Sequence, residues 1–363
     1  MKTNKKISSE HTSVIDIQKY GIITLVQLKH KPINSLEFIS LSKAFTEDSI
    51  RIEEVSEIGN VNELLFTNLS NKKILILDGD ILQGAKQNRV VNTSILIDGN
   101  SKLNIPVSCV EQGRWSSRSQ FFSPSDEVVN RKTRLDKSMD IYANQPSRKH
   151  FSSQDRVWSN VSMSIDATES HSRTSCYSDI MDSKRDEYKN VMKDFILKDG
   201  ANGISYFIND NLYGIEIFNR VDVYSDYFQK ILNSIAIEVD IFKRRNIMSE
   251  SESLKENKIT SIIRDTLDEY NENSDKIDSC NAVGLGKEER LLTSTKMYYD
   301  LSYQQQTVHQ SVLVMDKNDQ RTSERMMRYT NPTSDFELRR ERQNSSSRIS
   351  RMLRNWFNYN ETI

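Results

Sequence analysis

Residues 75–115 read LILDGDILQGAKQNRVVNTSILIDGNSKLNIPVSCVEQGRW, and this stretch decides the fold. Short apolar runs alternate in it with turn sequences such as Asp78-Gly79 and Asp98-Gly99. Asp-Gly between apolar runs is a strong hairpin signal, because glycine accepts the positive φ that tight hairpin turns require. Strands that recur about every 8–12 residues, with no long helix between them, indicate an antiparallel sandwich or a barrel.

The chain on either side of this stretch adds further strands and then helices. β-Branched runs predict strands at 14–17, 21–28 and 61–66, and a hairpin at 204–208 and 213–218. An apolar stripe at helical spacing predicts the clearest helix, with Tyr224, Tyr227, Phe228, Ile231, Leu232 and Ile235. The predicted fold class is α+β, with an N-terminal antiparallel β-sandwich or barrel-like sheet packed against several helices and a hairpin.

Composition shifts along the chain predict six segments. In order, they are a β-rich domain over 1–115, a polar loop or insertion over 116–150, a helix–hairpin–helix part of the same domain over 151–242, a hinge over 243–256, an α+β part over 257–342, and a basic amphipathic tail over 343–363.

Charge and cysteine usage exclude several classes of protein. The net charge of −1 provides no global field to attract nucleic acid or an anionic membrane. The chain has no apolar run of the roughly 18 residues that a membrane span requires, and no apolar stretch follows its basic N-terminus. Its three cysteines are odd in number and far apart, which favours a reducing compartment. The sequence therefore predicts a cytoplasmic protein without a membrane partner.

The first polar block, residues 78–89, allows two interpretations. In the structural one, Asp78 and Asp80 satisfy the amides of a hairpin turn. In the functional one, the block binds phosphate: Gly84 lets the backbone approach, Lys86 supplies a point charge and Arg89 supplies a bidentate fork. The neighbouring Gln87 and Asn88 add amide groups to the same set.

The second polar block, residues 108–115, follows an apolar strand. Cys109 is either a nucleophile or a small buried side chain, and no histidine lies near it in sequence. Glu111 stands close to Gln112, Arg114 and Trp115, a combination suited to ribose hydroxyls and to stacking of a nucleobase. Alternatively, Glu111 and Arg114 form a structural ion pair, and Trp115 fills the core.

These interpretations define a predicted site. Asp80 and Glu111 are the candidate general acid and base. The candidate ligand-binding residues are Asp78, Gly84, Lys86, Gln87, Asn88, Arg89, Gln112, Arg114 and Trp115. The five histidines show no metal-binding spacing, so no histidine or cysteine metal site is predicted. The alternative cofactor is Mg²⁺, which prefers oxygen ligands such as Asp78, Asp80 and Glu111.

The two polar blocks also carry a family resemblance. The patterns DGD-x-L-x-GAKQNR and IPVSC-x-EQGRW resemble those of the ARPP domain family, the ARG and rhodanese-phosphatase-superfamily-associated protein domain. The resemblance is close over about residues 35–115 and looser through Trp158, 203–218 and 284–288. It implies a genomic association with ADP-ribosylglycohydrolase-type and phosphatase-type proteins, and hence a context in NAD or ADP-ribose metabolism.

The functional hypothesis is therefore that the loop-end site binds or processes an ADP-ribose-like or other nucleotide-derived metabolite. The resemblance also implies ADP-ribosylglycohydrolase-type or phosphatase-type proteins as partners. The alternative is a non-catalytic module for protein interaction or regulation. A third hypothesis is nucleic-acid binding through the basic C-terminal tail, although such a terminal helix is more often simply solvated.

Overall fold

The computed structural model describes residues 9–56, 60–144, 150–244 and 254–316. Within these ranges the chain forms seventeen strands and six α-helices. The α+β class is thus confirmed. The described residues up to Met315 belong to one compact unit, to which the predicted segments from 1–115 to 151–242 all contribute.

The strands are numbered in chain order. They are β1 (Thr12–Tyr20), β2 (Ile23–His30), β3 (Ile39–Ser40), β4 (Ile50–Glu54), β5 (Glu63–Asn68), β6 (Ile74–Ile76), β7 (Asp80–Gly84), β8 (Arg89–Val91), β9 (Ile95–Ile97), β10 (Lys102–Cys109), β11 (Phe122–Val128), β12 (Gly203–Ile208), β13 (Asn211–Phe218), β14 (Asp278–Asn281), β15 (Lys287–Leu292), β16 (Lys296–Tyr303) and β17 (Gln306–Val314). The helices are α1 (Leu41–Thr46), α2 (Arg131–Asn144), α3 (Gln154–Ala167), α4 (Ser178–Met192), α5 (Val221–Arg244) and α6 (Glu256–Glu272).

Eight strands form a large antiparallel sheet in the order β1-β2-β12-β13-β17-β16-β15-β14. The predicted hairpin is confirmed as β12 and β13. The N-terminal strands β1 and β2 join this sheet through the pairing of β2 with β12. They therefore belong with the later strands and not with the strands of residues 75–115.

Residues 75–115 contribute strands to two further sheets. A six-stranded antiparallel sheet has the order β11-β7-β8-β10-β5-β4, and a three-stranded sheet has the order β3-β6-β9. The six-stranded sheet curls so that its two edges approach each other: Arg51 on the edge strand β4 lies 5.7 Å from the ring centroid of Phe121, which immediately precedes the other edge strand, β11. We call it the curled sheet. It confirms the predicted barrel-like sheet.

Helices cover both faces of the large sheet. The predicted stripe from Tyr224 to Ile235 is confirmed as the buried face of α5. It packs in a core shared by the large sheet, through Leu25, and the curled sheet, through Ile81. On the opposite face, α6 buries Ile259, Ile263, Leu267 and Tyr270. Among the described residues, none of the helices combines the length and the apolar character needed to cross a membrane.

The prediction of a polar loop over 116–150 was wrong in part, because this segment contains β11 and α2. Ten of the fourteen residues of α2 are buried, and they include Arg131, Arg134 and Lys137. Carboxylates inside the protein neutralise Arg134 and Lys137. Because much of the buried face of α2 is polar, a search for apolar periodicity does not find the helix. The tail at 343–363 lies outside the described residues, as do residues 245–253 of the predicted hinge.

Candidate functional site

The two polar blocks meet at one end of the curled sheet. Strands β8 and β10 are antiparallel neighbours with Cys109 opposite Arg89, so the turn before β8 and the segment after β10 leave the sheet at the same end. A backbone hydrogen bond joins them directly, from Val110 N to Asn88 O at 3.1 Å. The structure thus brings residues 84–89 and 111–115 together.

Glu111 is the anchor of this junction. Arg114 donates from Nε to Glu111 Oε1 at 2.8 Å and from Nη2 to Oε2 at 2.6 Å. Asn88 N donates to Oε2 at 3.1 Å, and Thr174 Oγ1 donates to Oε1 at 3.0 Å. Burial raises the pKa of Glu111, but the hydrogen bonds from these donors have the larger effect and hold its pKa below the usual value. Glu111 is therefore an ionised, fully hydrogen-bonded group that fixes the two blocks to each other.

Arg114 also binds the first block, and we call its ion pair with Glu111 the Glu111–Arg114 clamp. Arg114 also donates to four other oxygens, which are Gly84 O, Ala85 O, Asn88 Oδ1 and Ser116 O. Gly84 has a φ of +124°, and a Cβ there would lie 2.5 Å from Ser119 Oγ and 2.9 Å from Phe121 O. The space beside Gly84, where the sequence predicted a phosphate, is therefore filled by Ser119 and Phe121 of the same chain.

Arg89 and Cys109 lie beneath this junction and have no exposed surface. Arg89 Nη1 donates to Gln87 Oε1 at 3.1 Å, and Nη2 lies 3.6 Å from Glu54 Oε1. Cys109 Sγ donates to the same Gln87 oxygen at 3.1 Å. Burial raises the pKa of Cys109 to about 11, so its thiol stays protonated near neutral pH. This environment does not support Cys109 as a nucleophile.

Trp115 presents the exposed part of the junction. Its side chain is 50% exposed, so it does not fill the core. Lys86 Nζ lies 5.5 Å and Arg89 Cζ lies 5.7 Å from the centroid of its ring. Arg118, with 63% of its side chain exposed, is tied to the first block by its backbone N–H, which donates to Ala85 O. We call Lys86, Gln112, Trp115 and Arg118 the Trp115 surface.

Asp80 lies in a separate network. It has no exposed surface, and Lys230 of α5 donates to its Oδ1 at 3.0 Å. Its Oδ2 accepts hydrogen bonds from Tyr227 at 2.7 Å and from Leu77 N at 2.8 Å. Asp80 therefore attaches α5 to the curled sheet, and the structure does not bring it to Glu111.

Asp78 belongs to a third group of buried charges. Lys137 Nζ donates to Asp78 Oδ1 at 2.8 Å, and Arg134 Nε donates to Oδ2 at 3.3 Å. Gly79 leaves room for Arg134, because a Cβ at this position would lie 2.9 Å from Arg134 Cδ. Burial lowers the pKa of Lys137, and Asp78 opposes that shift. At the Asp78-Gly79 turn, Asp78 thus binds the side chains of Arg134 and Lys137 of α2.

The same group continues into the large sheet. Arg134 Nη1 donates to Glu216 Oε1 at 2.5 Å, and Glu216 Oε2 lies 2.7 Å from His309 Nε2. His309 Nδ1 lies 3.1 Å from Ser94 Oγ. A serine, a histidine and a carboxylate also make up a hydrolytic triad, but there the serine faces Nε2 and the carboxylate faces Nδ1, whereas here the two ring nitrogens are exchanged. Ser94 and His309 have no exposed surface, however, so a substrate does not reach the hydroxyl in this conformation.

The three carboxylates proposed for Mg²⁺ do not form a common site. Asp78, Asp80 and Glu111 are each neutralised by different cations on different elements. Over the residues that the structure describes, one group of three metal-ligating side chains has its ligand atoms within 4.8 Å of one another. It consists of His150, Cys280 and Glu288.

Sequence reasoning missed the residues that neutralise these carboxylates. Arg134 and Lys137, which neutralise Asp78, are three positions apart and so lie on one side of a helix, and this spacing was the available signal. Lys230 interrupts an otherwise aromatic and aliphatic stripe on α5. A lysine on an apolar helix face is a signal that a buried carboxylate lies opposite it.

The family resemblance extends over nearly the whole described chain. The sequence profile of ARPP-1, the ARG and Rhodanese-Phosphatase-superfamily-associated Protein domain, matches residues 11–313. No curated protein and no solved structure matches the chain. The profile match begins before β1 and ends in β17, so it includes all three sheets and both polar blocks. The chain therefore belongs to the ARPP-1 domain family.

Proposed function

We propose that this protein binds an anionic metabolite with an aromatic ring, of the ADP-ribose or nucleotide type, on the Trp115 surface. The observation that carries the proposal is the half-exposed indole of Trp115 with Lys86 Nζ 5.5 Å from its centroid. A nucleobase stacks on an exposed indole, and adjacent cations attract its phosphates. The association implied by the family name, with ADP-ribosylglycohydrolase-type proteins, supports the same ligand class.

The roles follow from exposure and charge. Trp115 stacks the base, Lys86 and Arg118 hold the phosphates, and Gln112 offers an exposed amide to hydroxyl groups. The Glu111–Arg114 clamp fixes both loops before the ligand arrives, which reduces the entropy lost on binding. Gln87, Asn88 and Arg89 support the surface from beneath it.

The proposal concerns binding and assigns no proton transfer. Both oxygens of Glu111 and both oxygens of Asp80 accept hydrogen bonds from protein donors. A carboxylate whose oxygens are occupied in this way is a poor general base. Glu111 therefore acts as a structural anchor of the binding surface, and Asp80 as an anchor between α5 and the curled sheet.

Calorimetric titration with ADP-ribose, ADP, adenosine and ribose 5-phosphate tests the proposal. We expect ADP-ribose and ADP to bind more tightly than adenosine, which lacks phosphate, and than ribose 5-phosphate, which lacks the base. Trp115→Ala should weaken ADP-ribose binding by about 1–3 kcal/mol, or roughly 5- to 150-fold, through the loss of stacking. Lys86→Ala should weaken it by about 1 kcal/mol, because the lost contact is partly exposed to solvent.

Arg264→Ala is the matched control. Arg264 is an exposed cation on α6, which packs on the face of the large sheet opposite α5. Its removal should leave the affinity unchanged. If folded wild-type protein binds none of the four compounds, or if Trp115→Ala binds as tightly as wild type, the proposal fails. A protein-interaction role would then be favoured.

A further inference from the structure

The edge of the large sheet carries a second cluster of functional side chains, away from the Trp115 surface. Cys280 on β14 and Glu288 on β15 are directly opposed in the antiparallel pairing, so their side chains lie on the same face. His150, from the segment before α3, reaches the same place, with Nε2 3.2 Å from Glu288 Oε2. One ligand atom from each residue lies within 4.8 Å of the other two.

Glu288 provides an independent sign that a ligand belongs here. Its side chain has no exposed surface, and its Oε2 accepts from Arg290 Nη1 at 2.5 Å as well as facing His150. Its other oxygen, Oε1, is buried and has no hydrogen-bond partner among the residues that the structure describes. A buried carboxylate oxygen without a partner is costly, and a bound cation is one way to satisfy it.

We propose that His150, Cys280 and Glu288 form a binding site for Zn²⁺, with a fourth position open to water or a ligand. An imidazole nitrogen, a thiolate sulfur and a carboxylate oxygen are the three donor types that zinc accepts together. Mg²⁺ and Ca²⁺ prefer oxygen ligands throughout, so the cysteine and histidine select against them. Three protein ligands and one open position is the arrangement of reactive zinc sites.

The geometry requires only a small contraction. Zinc bonds of about 2.0–2.3 Å place tetrahedral ligand atoms roughly 3.3–3.8 Å apart. His150 Nε2 and Glu288 Oε2 are already 3.2 Å apart, close to this range. Cys280 is half-buried on the outermost strand of the sheet, where a rotamer change of its side chain displaces little of the core.

Arg290 sets the charge of the site. Its guanidinium pairs with Glu288, lies 4.8 Å from the ring centroid of Tyr299 and donates to Thr93 Oγ1 at 2.8 Å. The thiolate and the carboxylate together bring two negative charges, against one positive charge from Arg290 and two from zinc. The thiolate is therefore essential, because without it the metal would meet a carboxylate that the arginine has already neutralised.

Cobalt substitution of tag-free protein tests the site. Protein freed of metal by a chelator is titrated with Co²⁺, whose bond to a thiolate gives an intense near-ultraviolet absorption and whose tetrahedral complexes absorb visible light. We expect both signals to saturate at one equivalent and to disappear when Zn²⁺ is added. Cys280→Ser should abolish the near-ultraviolet band, and His150→Ala should weaken Co²⁺ binding at least tenfold.

Cys109→Ser is the matched control, because Cys109 is buried at the other site and the variant keeps Cys280. It should retain the full near-ultraviolet band. Circular dichroism establishes that each variant is folded, which is expected because neither His150 nor Cys280 belongs to the fully buried core. Absence of the band in folded wild-type protein, or its persistence in Cys280→Ser, would overturn the proposal.

Discussion

Replacement of Arg114 by methionine is the most direct test of how the two polar blocks are held together. The change keeps the apolar stem of the side chain and removes its hydrogen bonds to Glu111 and to four other oxygens. Glu111, which has no exposed surface, would keep its charge without a cation of comparable proximity. Removal of one partner of a buried ion pair costs about 3–5 kcal/mol. We expect the free energy of unfolding to fall by about 4 kcal/mol.

Equilibrium unfolding in urea measures this loss, followed both by tryptophan fluorescence, to which Trp115 contributes, and by circular dichroism. Glu111→Gln and the double variant complete a thermodynamic cycle. Because each single change leaves a buried partner uncompensated, we expect the double variant to be more stable than additivity predicts, by about 2 kcal/mol. Additive effects within about 0.5 kcal/mol would refute the view that the two side chains act as a unit.

The pH dependence of the same variant has a definite sign. The folded protein holds the pKa of Glu111 below its usual value. The clamp therefore stabilises the fold above the pKa of an unfolded glutamate, about 4.3, and this contribution is lost as the pH falls through the lower folded value. The difference in stability between wild type and Arg114→Met should be largest near neutral pH and should shrink below about pH 4.

Three further predictions concern other parts of the fold. Burial raises the pKa of Glu127 to about 8. The free energy of unfolding should therefore fall by up to about 1.4 kcal/mol for each pH unit as the pH rises from roughly 5 to 8. Urea titrations of Glu127→Gln should show that this slope is gone. Gly84→Ala should lower the free energy of unfolding by about 2 kcal/mol or more, because φ is +124° and the new Cβ meets Ser119 Oγ. Gly21→Ala, at an open turn, should lower it by about 1 kcal/mol. Equal losses in the two variants would contradict the role of the contact with Ser119. In metal-free native protein a chromogenic thiol reagent should modify Cys280 rapidly, and Cys109 and Cys176 only after unfolding; a second rapid thiol would contradict their burial.

Local patterns predicted the elements whose partners are apolar. The stripe of α5 and the β12–β13 hairpin follow from periodicity and turn chemistry alone, because an apolar face needs only another apolar face. These features depend on residues close together in the sequence or on the general rules of sheet packing. The sequence did not determine whether the two polar blocks meet, because their meeting depends on the pairing of β8 with β10.

Local patterns did not predict which buried charges pair with one another. Asp78 and Asp80 are two positions apart, yet one is neutralised by α2 and the other by Lys230 on α5. The sequence shows which residues carry charge, but the cation that neutralises each carboxylate depends on the tertiary arrangement. The same reason hid the cluster of Cys280, Glu288 and His150, whose members come from strands and a loop that are distant along the chain.

The order of strands in the large sheet has a consequence for synthesis of the chain. His30, at the end of β2, bonds to Asn202, which is 172 positions later. At about 5–20 residues per second, a ribosome needs roughly 10–35 seconds to produce that partner. During this interval the emerging β1–β2 hairpin has an open edge and two uncovered apolar faces, with Leu25 on one and Leu28 on the other. Unpaired edges recruit other chains. Newly made protein should therefore depend on chaperones until β12 emerges, and chains that end before Gly203 should aggregate.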